Sequence, residues 1–316
     1  MKIEKVCILG GTGFVGRHLA ARLAEQGLRC RIPSRHPQRH KDLRVLPGVE
    51  LAAVDNLEVY ELKKLFNGCD AVINLIGILN ANNDDDFRRI HVDLVDSITD
   101  AGREAGVKRL LHMSALNASA SQGSSEYLRS KGEGENQAHT RGHAAMCVTS
   151  FRPSVIFGPG DSFFNRFAGL LRGAPGVIPL ACPEARFQPV YVGDVVEAFS
   201  RSLTDRCTWE RHFELCGPRI YSLRELVEYT GEVIGKKIRI LGLNPSLSRF
   251  QARMMEYLPG KPFTYDNYLS MQQDSVCQGE SLTQWGIQPH GVEEVVPGYL
   301  GGGGERGRYG QLRRPL

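Results

Sequence analysis

No apolar run in this 316-residue chain approaches the ~20 residues needed to cross a bilayer. The best stretch, 71–79, is broken by Asn74 and Gly77, so no transmembrane segment is expected. Cysteine occurs eight times but never as C-x-x-C: Cys7, Cys30, Cys69, Cys147, Cys182, Cys207, Cys216 and Cys277. Scattered in this way, they predict buried thiols in a reducing cytoplasm, neither a disulfide frame nor a zinc site. Excess charge is equally scarce. From Gly301 onward, Arg306, Arg308, Arg313 and Arg314 against Glu305 account for three of the four net positive charges. The body is therefore almost neutral, which argues against nucleic acid as a partner. Lys2 and Lys5 precede an apolar patch, but no small-residue cleavage site follows, so a secretory leader is not expected.

The composition, 41% apolar and 23% charged, is that of a soluble globular protein with room for two domains. The stretch Cys7 to Gly16 reads as an apolar strand, a glycine turn and the first turn of a helix. Gly10, Gly13 and Gly16 are spaced by three, and Gly11, Gly13 and Gly16 also fit G-x-G-x-x-G. The glycines supply a turn, backbone approach to a pyrophosphate and close packing of helix on strand. Free N–H groups at the helix start then make an anion site, so Gly10, Gly11, Thr12, Gly13, Phe14, Val15 and Gly16 are cofactor-binding candidates. Val15, Leu19 and Leu23, with Ala20 and Ala24 beside them, give the following helix one apolar face that stops at Gly27.

Strand and helix signals alternate through the first half, which implies βαβ units and a parallel sheet. Strands are expected at 5–9, 29–33, 49–54, 71–76, 109–113 and 147–152, with a seventh at 212–216. Helices are expected at 14–26, 57–66, 87–105 and 126–141. Asp84, Asp85 and Asp86 suit a helix N-terminus better than a metal site. His139 and His143, four apart but separated by Gly142, predict two solvated histidines, and no metal site is expected. The fold class is thus α/β, a Rossmann-type doubly wound parallel sheet with a smaller C-terminal lobe on the substrate side. The dinucleotide domain is placed at 1–160, completed by about 193–216. The lobe is placed at 161–192 and 217–300, with an apolar pocket around Phe163, Phe164 and Phe167, and residues 301–316 as a disordered basic tail. Within the lobe, a helix at 245–257 carries Leu247, Phe250, Met254 and Tyr257 or Leu258 on one face. A core-facing helix is the favoured reading, with a docking surface for membrane or partner held beside it.

The second strand runs into Ser34-Arg35 with no carboxylate nearby. A carboxylate there would hold a ribose 2′-hydroxyl and repel a 2′-phosphate, whereas a guanidinium grips the phosphate. NADP(H) is therefore expected in preference to NAD(H), with Arg35 and Ser34 on the phosphate. Asp55 is placed for the adenine edge, or alternatively as a cap for the helix expected from Leu57. Tyr127 and Lys131 are four apart on a predicted helix and so share a face. A lysine cation ~4 Å away is worth up to ~4 kcal/mol to a tyrosinate at intermediate dielectric. That is nearly three units off a pKa of ~10. Tyr60 and Lys64 share the spacing, but only Tyr127 follows the fifth strand, where a nicotinamide would be approached.

Together, Gly10-x-x-Gly13-x-x-Gly16, Asp55, Tyr127-x-x-x-Lys131 and Arg152-Pro153-Ser154-Val155 before Gly158 resemble the short-chain dehydrogenase/reductase superfamily, in its extended and atypical branches. The resemblance spans nearly the whole chain ahead of the tail. It implies that Tyr127 donates or accepts the proton, that Lys131 lowers its pKa and holds the nicotinamide ribose, and that Pro153 and Val155 line the nicotinamide. One position departs from the pattern. The family ends its fifth strand in paired hydroxyls, whereas this chain has Met113-Ser114-Ala115, leaving Ser114 one residue off and Ala115 where the polarising hydroxyl is expected. Asn117 and Ser119 stand as replacements. A missing donor to an oxyanion costs roughly 10²–10³ in rate.

A narrower match lies in Asn74-Leu75-Ile76-Gly77, His112 to Leu116, Tyr127-Leu128-Arg129-Ser130-Lys131, Gln188 to Val192 with Asp194, Phe263-Thr264-x-Asp266-Asn267 and Asp274-Ser275-Val276. These resemble the nucleotide-binding accessory subunit of mitochondrial respiratory complex I and its bacterial relatives. That subgroup adds Leu75 and Gly77 to the cofactor-binding candidates. It implies a tightly held dinucleotide with a structural role near the quinone end of the complex, and its relatives are linked to ubiquinone synthesis. The expected partners are thus a dinucleotide, a quinone-like or small carbonyl ligand and a respiratory-complex or membrane-periphery protein. The expected location is the cytoplasm, peripheral at the inner membrane. The alternative is an active NADPH-dependent oxidoreductase or epimerase-like enzyme using Tyr127 and Lys131. Binding of nucleic acid or anionic membrane through the arginine-rich tail is set aside, since no aromatic platform but Tyr309 accompanies it.

Overall fold

The computed structural model describes residues 1–81, 85–143, 145–258, 260–279 and 281–301. Asp84 and the Gly/Arg-rich tail past Gly301 lie outside the described residues. By internal contacts the chain divides into two units. One is Met1–Pro153 with Val195–Leu215; the other is Ser154–Asp194 with the chain from Cys216 on.

In the first unit, β1 (Lys5–Leu9), β2 (Arg29–Ser34), β3 (Val49–Ala53), β4 (Ala71–Asn74), β5 (Arg109–Met113) and β6 (Cys147–Pro153) pair in parallel. The strand Arg211–Leu215 adds to the edge of β6. The sheet order is that strand, β6, β5, β4, β1, β2, β3. This is the doubly wound α/β sheet expected from the alternation. Its order reverses between β1 and β4, and a crevice at the strand C-termini follows from that reversal. β4 and β5 are buried at every residue, which is why they read as unbroken apolar runs instead of alternating ones.

Helix α1 (Phe14–Glu25) buries Gly16, Leu19, Ala20, Leu23 and Ala24, the stripe its sequence marks. β4 ends at Asn74, two residues before its apolar run does. There the side chain takes over from the ladder: Asn74 Oδ1 accepts the Ile76 N–H at 3.1 Å, and Nδ2 lies 3.2 Å from His112 Nδ1. The long helix expected at 87–105 is also divided. A π turn at Arg89–Asp93 separates a short turn from the helix Leu94–Ala105. Asp86 opens the short turn and pairs with Arg89 at 2.7 Å, as its expected N-terminal place suggests.

Arg109, at the start of β5, is fully buried, and among the described residues its hydrogen-bond acceptors are carbonyl and hydroxyl oxygens. Its guanidinium donates to the Ser202 carbonyl (2.9 Å), the Cys147 carbonyl (2.8 Å), Thr149 Oγ1 (2.6 Å) and Thr208 Oγ1 (2.8 Å). Burial pushes its pKa down to about 10.

The second unit is built from three two-stranded ladders and a set of helices. Phe157, Phe164, Leu171, Leu226 and Val296 form its core. Phe164 is buried in that core, its ring meeting Phe157 edge-on at 5.9 Å, and Phe163 and Phe167 pack against it. Two expectations are overturned here. Cys216 and Cys277 form a disulfide with Cα atoms 6.1 Å apart, although 61 residues separate them in sequence. Gln188 draws the two ends together, donating to the Gly217 carbonyl at 2.8 Å and accepting from the Cys277 N–H at 3.1 Å. Cys7, Cys30 and Cys69 are buried thiols as expected, while Cys207 is exposed. The helix Pro245–Met255 is not core-facing through its apolar stripe. It turns Ser248 and Ala252 inward and leaves Leu247, Phe250 and Met254 at least half exposed.

Replacing Arg109 with Ala removes the donor shared by four acceptors from three segments and leaves a cavity. With buried unsatisfied groups at ~1–3 kcal/mol each, the expected loss is on the order of 3 kcal/mol. Urea unfolding checks this, and a variant within ~0.5 kcal/mol of the native protein would refute it.

Candidate functional site

Beyond Leu9 the backbone turns through Gly10, whose φ of 76° disfavours any other residue. The Gly11 N–H returns to the Ile8 carbonyl at 3.2 Å, and the Gly13 N–H to the Gly10 carbonyl at 2.9 Å. Helix α1 starts with Gly13 as its N-cap, with no side-chain cap and no acidic residue in its first turn. Its leading N–H groups are thus left for an anion. A Cβ on Gly16 would lie 2.4 Å from the Gly10 carbonyl oxygen, so α1 can seat on the loop only through glycine. Arg17 fastens the loop from outside, donating from Nε to the Thr12 carbonyl at 2.8 Å while also pairing with Asp42 and contacting His40. This cradle fits a pyrophosphate.

At the end of β2, Ser34 is buried and its Oγ accepts the His36 N–H at 3.2 Å, which engages it in the turn. Arg35 is exposed beside it, with no carboxylate partner among the described residues. Asp55 is exposed after β3. It does not cap the next helix, which begins at Val59 with Glu58 as N-cap; Asn56 Oδ1 accepts the Glu58 N–H instead.

Opposite the glycine loop runs the segment after β4. The Leu75 N–H donates to the Leu9 carbonyl at 3.0 Å, and a Cβ on Gly10 would lie 3.1 Å from the Leu75 carbonyl carbon. A Cβ on Gly77 would lie 3.6 Å from Lys131 Nζ and 3.5 Å from His91 Nε2. The loop, Leu75, Gly77 and Lys131 are therefore brought together. Lys131 sits on the helix Glu126–Gly142, is 4% exposed and donates to the Met113 carbonyl at 2.5 Å. Burial pushes its pKa down to about 8, against the opposing pull of Glu135.

Tyr127 packs on Ala115, Ala118 and Leu128. Ala115 thus adjoins the tyrosine, while Ser114 is buried with its Oγ lacking a hydrogen-bond partner among the described residues. Ser119 Oγ accepts the Gln122 N–H at 3.2 Å and so serves its own turn. Asn117 sits at φ 63° in the same loop. Pro153 ends β6, its carbonyl accepting the Leu116 N–H at 3.0 Å; Val155 belongs to the second unit. Arg152 of the same motif is structural, held bidentately by buried Glu135. The competing pair resolves differently: Lys64 lies over the ring of exposed Tyr60 at 4.0 Å, a surface cation–π contact. His143 is solvated, as expected, but His139 turns inward to Ser150 Oγ at 3.0 Å.

His91 escapes sequence reasoning altogether, since no spacing links it to Tyr127 or Lys131. It is 2% exposed on the π turn, stacked on Phe87 and edge-on to Tyr127 with centroids 5.7 Å apart. Its Nε2 accepts the Ile78 N–H at 3.1 Å, so Nδ1 carries the proton and donates to Ser130 Oγ at 2.9 Å. Ser130 in turn donates to the Tyr127 carbonyl at 3.0 Å. Burial first, then Lys131, pushes the His91 pKa down to about 3. A neutral imidazole thus clamps the 75–78 segment to the helix that carries Tyr127 and Lys131.

A model of the NAD dependent epimerase/dehydratase family matches residues 6–216, from β1 through the edge strand. The chain belongs to this family. Among curated family relatives, the mitochondrial NADH dehydrogenase (ubiquinone) 1 alpha subcomplex subunit 9 of Mus musculus is 34% identical over 70% of this chain. That match spans 59% of the mouse subunit's length. The ceramide reductase of Caulobacter vibrioides is 30% identical over 75% of the chain and 73% of the reductase. Among solved structures, MoeE5 in complex with UDP-glucose and NAD shares the fold at a TM-score of 0.73 and 18% identity, covering 98% of this chain and 99% of that one. Among the described residues no helix is long and apolar enough to cross a membrane.

The neutral His91 sets a pH dependence. Unfolded imidazole takes up a proton near pH 6.5, the folded group only near 3. The unfolded chain therefore binds more protons between those values, and stability falls as pH drops through them. From pH 7 to 5 this amounts to about 2 kcal/mol. His91→Asn keeps a donor and an acceptor without the titration, so urea unfolding of this variant should lose that much less over the same interval. Equal losses in both proteins would refute the assignment.

Proposed function

We propose that this chain binds a nicotinamide dinucleotide, NADP(H) in preference to NAD(H), and holds it in a structural or regulatory role tied to a respiratory complex. The observation that carries the reading is the uncapped start of α1 behind the Gly10–Gly16 turn, with exposed Arg35 at the end of β2 where an NAD site wants a carboxylate. The first-turn N–H groups of α1 hold the pyrophosphate, Arg35 and Ser34 meet the 2′-phosphate, and Asp55 faces the adenine. Leu75, Gly77, Pro153 and Val155 border the nicotinamide half, and Lys131 reaches its ribose. The likeness to a mitochondrial NADH dehydrogenase subunit supports the respiratory setting. The proposed location is the cytoplasm, at the periphery of the inner membrane, with a quinone-like or small carbonyl ligand nearby.

A second reading is an NADPH-dependent oxidoreductase or epimerase-like enzyme. Buried Lys131 one helical turn from Tyr127 supports it, as does the likeness to a ceramide reductase. When bound, the nicotinamide supplies hydride exchange. The chain's own part would be to hold a proton at the Tyr127 hydroxyl. Ala115 beside Tyr127 weighs against speed, because no hydroxyl is held there to polarise a substrate oxygen.

Calorimetric titration with NADPH and NADH tests the first reading. Native protein should favour NADPH, and Arg35→Ala should lose at least about tenfold of that preference, since a charged hydrogen bond is worth ~1.5–3 kcal/mol. An unchanged preference would remove the 2′-phosphate assignment. Single-turnover oxidation of bound NADPH by quinones and carbonyl compounds separates the two readings. Oxidation by native protein that is lost in Tyr127→Phe makes the chain an enzyme. No oxidation by any acceptor leaves the cofactor structural.

A further inference from the structure

Of the nine large apolar side chains exposed among the described residues of the second unit, Leu170 and Ile220 stand apart and seven belong to two elements and their flank: Val177 and Leu241 on the ladder of Val177–Leu180 with Arg239–Gly242, then Leu247, Phe250, Met254, Tyr257 and Leu258. Exposed apolar residues scattered singly need no explanation; a contiguous set does. On the helix Pro245–Met255 the stripe follows directly from spacing. Leu247, Phe250 and Met254 recur at three and four residues, opposite inward-facing Ser248 and Ala252. Gln251, beside that stripe, ties the helix to the ladder by donating to the Pro179 carbonyl at 3.3 Å.

Charge decides what covers this face. Between Lys236 and Met255 the chain carries Lys236, Lys237, Arg239, Arg249 and Arg253 and not one Asp or Glu. All five cations are exposed. Arg249 and Arg253 lie one helical turn apart along one side of the apolar stripe, the Arg253 guanidinium also resting over the Tyr265 ring at 5.1 Å, so the helix offers an apolar band with guanidinium groups along one edge. Glu256, the next acid, is turned away to accept the Tyr265 N–H at 2.6 Å. A second copy docking by two-fold symmetry would bring these cations against their own kind. An apolar stripe edged by arginines instead fits the headgroup layer of a bilayer, where side chains such as Phe and Leu enter the acyl boundary and cations meet lipid phosphate.

We infer that the helix Pro245–Met255, continued through Tyr257 and Leu258, docks this protein on an anionic phospholipid surface in the plane of the interface. The inference rests on the peripheral placement proposed above and not on the cofactor reading. The test is flotation of the full chain with phosphatidylcholine vesicles, with and without about a third phosphatidylglycerol, the fraction that supplies surface charge. Native protein should float with the anionic vesicles and not with the neutral ones. Phe250→Glu with Met254→Glu should weaken that binding at least about tenfold, and Arg249→Gln with Arg253→Gln by a similar factor that shrinks as salt rises. Both pairs are solvent-exposed, and an NADPH titration on each preparation reports separately on the cofactor site. Failure of native protein to float, equal binding to neutral vesicles, or undiminished binding by the Phe250/Met254 variant would overturn the inference. So would a native dimer that the same variant converts to monomer.

Discussion

The seat of Gly16 on the Gly10 carbonyl is the contact on which the remaining geometry depends. With only hydrogen at that point, α1 approaches its strand closely enough for its N-terminus to open directly above β1. Because sheet order reverses between β1 and β4, the same point borders the segment that leaves β4. Gly10 then lies against Leu75, and Gly77 against Lys131. One backbone approach thereby aligns the anion-binding end of a helix with a buried lysine that reaches the end of β5. A methyl group at residue 16 would push α1 outward and separate them.

What holds the other side of this site is a neutral histidine. Were His91 charged, it would place a second cation beside Lys131 in a buried setting, and each would raise the cost of the other. As the neutral Nδ1–H form it joins three segments through two hydrogen bonds without adding charge. The π turn on which it sits gives the ring its direction, since an added residue in the helical turn rotates one side chain out of the regular spacing.

Sheet and glycine loop were legible because their signals are local. A buried parallel strand needs an apolar run, and a helix that seats on such a loop needs its glycines in sequence order. Strand ends were legible to within about two residues, and β4 shows why no better: the Asn74 side chain, and not the apolar pattern, decides where its ladder stops. Tyr127 and Lys131 could be found because one helical turn joins them. His91 could not, since it lies 36 positions before Tyr127 and the helix Leu94–Ala105, strand β5 and a loop must fold back to bring the two together. The Cys216–Cys277 bridge was hidden for the same reason, being set up by Gln188 from a third segment. The helix Pro245–Met255 misled in another way. Periodicity establishes that a helix has an apolar face, but not whether protein lies on that face.

A tyrosine and a lysine in this spacing are a weaker sign of turnover than they first look, because both have other work in the fold. Lys131 carries a hydrogen bond from its helix to the last residue of β5, a tie between two elements that exists without any substrate. Tyr127 fills the space among Phe87, His91 and Ala115, and its carbonyl anchors Ser130. Loss of either would cost packing and hydrogen bonding as well as chemistry. Ala115 packs only a methyl group against the tyrosine, so that position brings no hydroxyl to it. Tyr127 and Lys131 each therefore have a structural task in the fold that is fulfilled whether or not a proton is ever transferred.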